Sequence, residues 1–230
     1  RGLFLDLAIL SLEKSLGLGK EVFEKTQKEI LSNQDFLQIG QSLIKTYWTL
    51  TNNRDQKIIL DYLAAAKNGL SKRLVDFLSR NEPEHINSQL RQLELLEDLP
   101  FIKSRNIAVQ LANEQQDGLE KKVDERVYFL HDEMYKLAEM QLEPRQIRDL
   151  SKEISNWYDL PENKKVDGLK AASLLYRLRD DPMQGYGYFL QQSDAAIRGT
   201  KTSLDFSLRD AMEIFVAGTK MPKGSLGDTL

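Results

Sequence analysis

The chain has 230 residues, 41% hydrophobic and 29% charged, with a net charge of −3 and no cysteine. That size supports one large domain or two small ones with a real core, and the composition excludes a disordered chain. The missing cysteines exclude disulfides, thiolate nucleophiles and Cys-ligated metals, and the interspersed charges exclude a nucleic-acid platform, which needs clustered cations to displace counterions.

Leu3 to Leu16 reads as a helix buried on most sides, stopped by Gly17 and Gly19. Its apolar start, Leu3 to Leu12, is too short to span a bilayer and lacks a small-residue cleavage site; it reads as a core helix, as the end of a removed signal or anchor, or as a segment that docks on a partner. Lys20 to Leu31 is a second helix. Ser32 and Asp35 then give a capping signal for a third, to about Leu50, in which Gly40 permits a close helix crossing. Thr51-Asn52-Asn53 is a turn rich in N-caps, Arg54 to Lys67 a helix, and Asn68-Gly69 its stop. Leu70 to Ser79 is a short amphipathic helix, Pro83 suits a first helical turn, and Ile86, Leu90, Leu93 and Leu96 form another stripe.

Phe101 to Gln141 has one glycine, Gly118, and no proline. Leu119, Val123, Val127, Leu130, Met134 and Leu137 follow one another in steps of 4, 4, 3, 4 and 3. Such spacing predicts a long central helix with an apolar seam, or two helices broken near Gly118. Beyond it, helices are expected over 145–158, 166–179, 189–198 and 202–217, the last capped by Thr202 and Asp205. Asp181-Pro182 with Gly185 and Gly187 predicts a loop, and Gly218 to Leu230 an irregular tail. No stretch alternates strictly between hairpin turns, so no strand is expected.

Few residues suggest chemistry. Glu125-Arg126-Val127-Tyr128-Phe129-Leu130-His131-Asp132-Glu133 resembles the phosphoacceptor helix of one class of sensor histidine kinases. The resemblance implies that His131 accepts a phosphoryl group and that Asp132 orients or deprotonates it. No asparagine-rich box or glycine-rich lid of an ATP-binding domain follows. Glu82-Pro83-Glu84-His85 has the E-x-x-H spacing of a helix-bundle metal site, but no second E-x-x-H exists, so no metal and no cofactor are expected. Asp180-Asp181 resembles the start of the magnesium motif of all-α isoprenoid synthases, with Gln184 where a third aspartate is needed. Gly185-Tyr186-Gly187-Tyr188-Phe189 has the composition of a recognition loop, because aromatics bury much area at low entropic cost.

The resulting expectation is an all-α, multi-helix bundle of about ten or eleven helices. It comprises an N-terminal bundle over 1–99, a long connecting helix over 100–143, and a C-terminal helical subdomain over 144–230, with the option of one shared core. The expected function is non-enzymatic: a helical scaffold, adaptor or assembly subunit in contact with a protein partner or with copies of itself. Tyr186, Tyr188, Phe189, Met221 and Leu226 are its candidate contact residues. Histidine phosphotransfer at His131 is the alternative, and a ligand-binding or catalytic helical domain without a linear motif is a second. No nucleic acid and no membrane span are expected. A soluble, cytoplasmic or assembly-bound protein is expected rather than a secreted one.

Overall fold

The structure, a computed structural model, describes residues 2–32, 36–111, 121–164 and 167–218. The described residues form twelve α-helices and one three-stranded sheet, so the all-α expectation holds for the bulk of the chain. Two compact units are present, 1–107 with 125–146, and 108–124 with 147–230.

In the first unit, α1 (Gly2–Gly17), α2 (Lys20–Ser32) and α3 (Phe36–Thr49) pack on one another. Ser32 is the last residue of α2 and its Oγ donates to the Glu29 carbonyl, while Asp35 of the expected capping signal lies outside the described residues. Gly40 is buried in α3, where a Cβ would lie 2.4 Å from a Phe4 ring carbon and 3.1 Å from Leu137 Cδ1. The close crossing expected at this glycine is therefore present. Asn53 caps α4 (Arg54–Ala65) by accepting from the Gln56 amide at 3.0 Å. The helix stops as expected, with Gly69 at φ +93°. Leu70–Ser71 is not helical but forms β1, and the helix α5 (Lys72–Leu78) starts only after Ser71, whose Oγ caps the Leu74 amide. A 3-10 turn at Pro83–His85 leads into α6 (Ile86–Leu95), which packs on α4 and α5.

The expected long central helix is absent. Its place is taken by β2 (Ile102–Leu111), β3 (Lys121–Leu130) and the short helix α7 (Asp132–Glu139). The Gly118 break falls outside the described residues. The sheet order is β1-β3-β2, with Leu70 opposite Tyr128 and Ser71 opposite Val127 in antiparallel register. At the base of the β2–β3 pair the His131 amide donates to the Phe101 carbonyl at 2.9 Å. Steps of four are multiples of the strand period of two as well as near a helical turn, so Val123 and Val127 fit either structure. The run Val127-Tyr128-Phe129 is β-branched and aromatic, which suits a pleated surface. The apolar series continues into α7, where Met134 and Leu137 are buried against the α3 and α4 side.

The second unit contains most of α8 (Pro144–Tyr158), then α9 (Pro161–Lys164), α10 (Asp167–Asp180), α11 (Pro182–Arg198) and α12 (Thr202–Gly218). The last three form a bundle around Leu174, Leu175, Leu178, Ala196, Leu208 and Phe215. Tyr158 of α8 stacks on Tyr176 of α10, with ring centroids 5.7 Å apart.

The loop expected at 181–187 is helix. Asp181 caps α11 by accepting from the Met183 and Gln184 amides at 2.9 and 3.1 Å, and Pro182 takes the first position, where no N–H is needed. Gly185 is present for packing, not for a turn: a Cβ there would lie 2.7 Å from the Leu178 backbone. Asp205 does not cap α12. It accepts from Ser193 of α11 and from Arg209.

Candidate interaction surface

Among the described residues several helices carry exposed apolar side chains, and on α1 and α11 these recur along one face. On α1, Leu7 is fully buried, and so are Ser11 and Ser15 one and two turns later. The opposite face carries Leu5, Ile9, Leu12 and Leu16. Leu5 and Leu16 are 62% and 61% exposed, Ile9 is exposed and Leu12 half-buried. Steps of 4, 3 and 4 place these four in one seam. A helix that is apolar on opposite faces is normally buried on both. The expectation that α1 is buried on most sides is thus corrected: one face lies in the core and one is open.

The seam has an acidic border. Asp6 and Glu13 each follow a seam residue, lie one heptad apart, and are exposed. No ion pair engages either of them among the described residues.

On α11, Met183, Leu190 and Ile197 recur every seven residues on the face away from the bundle, with Met183 64% and Ile197 61% exposed. Tyr186 is half-buried beside them, and its ring stacks on Phe189 at 6.2 Å. Tyr188 and Phe189 turn inward and pack against the bundle core. Arg177 sits 4.2 Å above the Tyr188 ring, and Ser173 hydrogen-bonds the Tyr188 hydroxyl at 3.3 Å. The aromatic cluster of the sequence is therefore brought together on one helix, but two of its three rings serve its own unit. Met221 and Leu226 lie outside the described residues.

His131 follows β3 and occupies the N-cap position of α7, without a side-chain cap bond. The long helix that the kinase resemblance implies is not present around it. Asp132 is exposed, with Lys103 Nζ 3.8 Å away.

His85 has a more built environment. Its Nδ1 lies 3.2 Å from Oδ1 of Asp55 in the first turn of α4. Burial pushes the Asp55 carboxyl up, but hydrogen bonds with Ser88, His85 and Gln89 and attraction to His85 outweigh it and hold it below its ordinary value. Buried Gln89 in turn accepts from Ser79 Oγ. The cluster ties α4 to α5 and α6, and none of its groups meets another histidine. Among the described residues no group of three or more His, Asp or Glu could hold a metal ion.

Three further polar groups are partly withdrawn from water. Lys14 of α1 donates to Thr51 Oγ1 at 2.6 Å and lies 4.2 Å above the Tyr47 ring, and burial lowers its pKa to about 8. Burial likewise raises Tyr47 to about 12. Asp61 accepts from Trp48 Nε1 and Gln146 Nε2, each at 3.0 Å, and burial holds its carboxyl above the usual range despite them.

No helix of the described residues is long and apolar enough to cross a membrane. Comparison with known proteins finds no matching family model, no similar curated protein and no similar solved structure.

The sequence marks Leu3 to Leu12 as a possible docking segment, but it does not single out Leu5, Ile9, Leu12 and Leu16 as its open face. Their seam spacing was visible, but spacing alone does not say which of two apolar faces the fold covers.

Proposed function

We propose that this chain is a non-catalytic helical adaptor or assembly subunit that works through protein–protein contacts. The observation that carries the reading is the open seam of α1. Three exposed aliphatic residues and a half-buried fourth, Leu12, lie in helical register on a helix whose other face is committed to a core. Isolated surface leucines are ordinary, whereas a contiguous apolar face on a folded domain marks a contact site. The second seven-residue recurrence on α11 supports the same reading with a separate surface.

The test is the size of the native particle. Extract of the source cells is sized by gel filtration, with wild type beside an α1 variant (Leu5→Glu, Leu16→Glu) and an α11 variant (Leu190→Glu, Ile197→Glu). The wild type should elute well above the 26.5 kDa of the chain, and at least one variant should fall toward that mass with its circular dichroism unchanged. Elution of all three at the mass of the chain would sink the reading.

A further inference from the structure

We infer that the α1 seam takes one amphipathic helix of another protein, whose own apolar seam is flanked by lysine or arginine. The inference rests on the adaptor reading and names its partner chemistry.

The register comes first. Steps of 4, 3 and 4 alternate as the two core positions of a helical coil do, so Leu5, Ile9, Leu12 and Leu16 present knobs to a single parallel or antiparallel helix. A sheet edge would not match this spacing, because its side chains recur every second residue.

The charge at the border then selects the partner. Asp6 and Glu13 occupy equivalent positions one heptad apart on the same side of the seam, exposed and without an ion pair among the described residues. On the other side the equivalent positions are Ala8 and Ser15, and Ser15 is fully buried in its own unit. Lys14 is no counter-charge for this border, because it is turned toward Thr51 and Tyr47.

A second copy of this chain fits poorly. Paired antiparallel, α1 sets Asp6 and Glu13 against Glu13 and Asp6 of the copy, where like charges repel. Paired parallel, it sets them against Ala8 and Ser15 and leaves them unsatisfied. A basic border on the incoming helix satisfies both carboxylates at once. An anionic lipid surface is disfavoured by the same two charges.

The experiment uses the full chain and two synthetic helical peptides of about four heptads, with Leu and Ile at the seam positions. They are identical except that the flanking positions carry Lys in one and Glu in the other. Binding is read by fluorescence anisotropy. The Lys-flanked peptide should bind about tenfold more tightly than the Glu-flanked one at low salt, and the preference should shrink as salt is added. Asp6→Lys with Glu13→Lys should reverse the preference. Leu5→Ser with Ile9→Ser and Leu16→Ser should abolish binding of both peptides while the circular dichroism stays unchanged.

Equal affinity for the two peptides, no binding of either, or binding that survives the serine variant overturns the inference. So does a dimer of the chain alone that the serine variant dissolves, or seam-dependent binding to phosphatidylcholine vesicles. If the native particle is lost only in the α11 variant, the adaptor reading stands and this inference falls.

Discussion

At the scale of single residues, three sites have consequences that can be measured. Gly185 and Gly187 lie two residues apart in α11, yet only Gly185 faces another backbone. Alanine at 187 should stabilise the chain by about 0.5–1 kcal/mol, because it gains helix propensity and meets nothing. Alanine at 185 gains the same propensity but forces α10 and α11 apart, for a net loss of about 1–3 kcal/mol. Thermal melts of the two variants should therefore move in opposite directions. Lys14, with its pKa lowered to about 8 by burial, is less protonated in the folded chain than in the unfolded one between that value and its usual value near 10.4. Stability contributed by this site should rise with pH across that interval and be at its lowest below it. Denaturant titrations at several pH values should show the rise in wild type and not in Lys14→Met. Asp55 has the opposite sense. Its carboxyl is held below the ordinary value, so its contribution is present above about pH 4 and is lost as pH falls through the folded value. Asp55→Ala should cost about 0.5–1.5 kcal/mol near neutrality, through loss of its contact with the His85 imidazole, and the gap from wild type should close in acid.

At the scale of elements, the stretch 101–141 departs furthest from its own periodicity. Its stripe of apolar residues was legible, and Met134 and Leu137 do lie in a buried helix face. What misled was the spacing of four, which suits a strand as well as a helix. The deciding contacts are non-local: β1, thirty residues or more upstream, meets Val127 and Tyr128, and the Phe101 carbonyl receives the His131 amide. Tyr128 is 1% exposed, so Tyr128→Ala should cost about 3–5 kcal/mol, close to the cost of a buried large aromatic. The sheet amides near Leu70 and Val127 should lose hydrogen-exchange protection in that variant before those of α10 to α12 do. Retained sheet protection would argue against this pairing. The start of α11 shows a related ambiguity. Asp-Pro followed by two glycines is loop chemistry in isolation, but the same Asp and Pro are a good cap and first residue. The Gly185 that weakens a helix locally also lets two helices touch.

At the scale of the whole molecule, the open faces of α1 and α11 should contribute nothing to its own folding. Leu5→Ser, Ile9→Ser and Leu16→Ser, each alone, should therefore move the melting temperature by no more than about 1–2 °C, whereas Leu7→Ala on the covered face should cost about 2–5 kcal/mol. A large loss at Leu5 or Leu16 would mean that the isolated chain already covers this seam. The helical class, most helix boundaries, the turn at Asn53, the stop at Gly69 and the chemistry that a cysteine-free chain lacks can all be read from the order of residues. These are local properties, written in caps, breakers and 3.6-residue periodicity. Long-range packing sets the strand pairing of 102–111 and 121–130, the inward turn of Tyr188 and Phe189, and which of two apolar faces of α1 stays open. Each of those depends on a partner distant in sequence, and a period records that a face is apolar without recording what covers it.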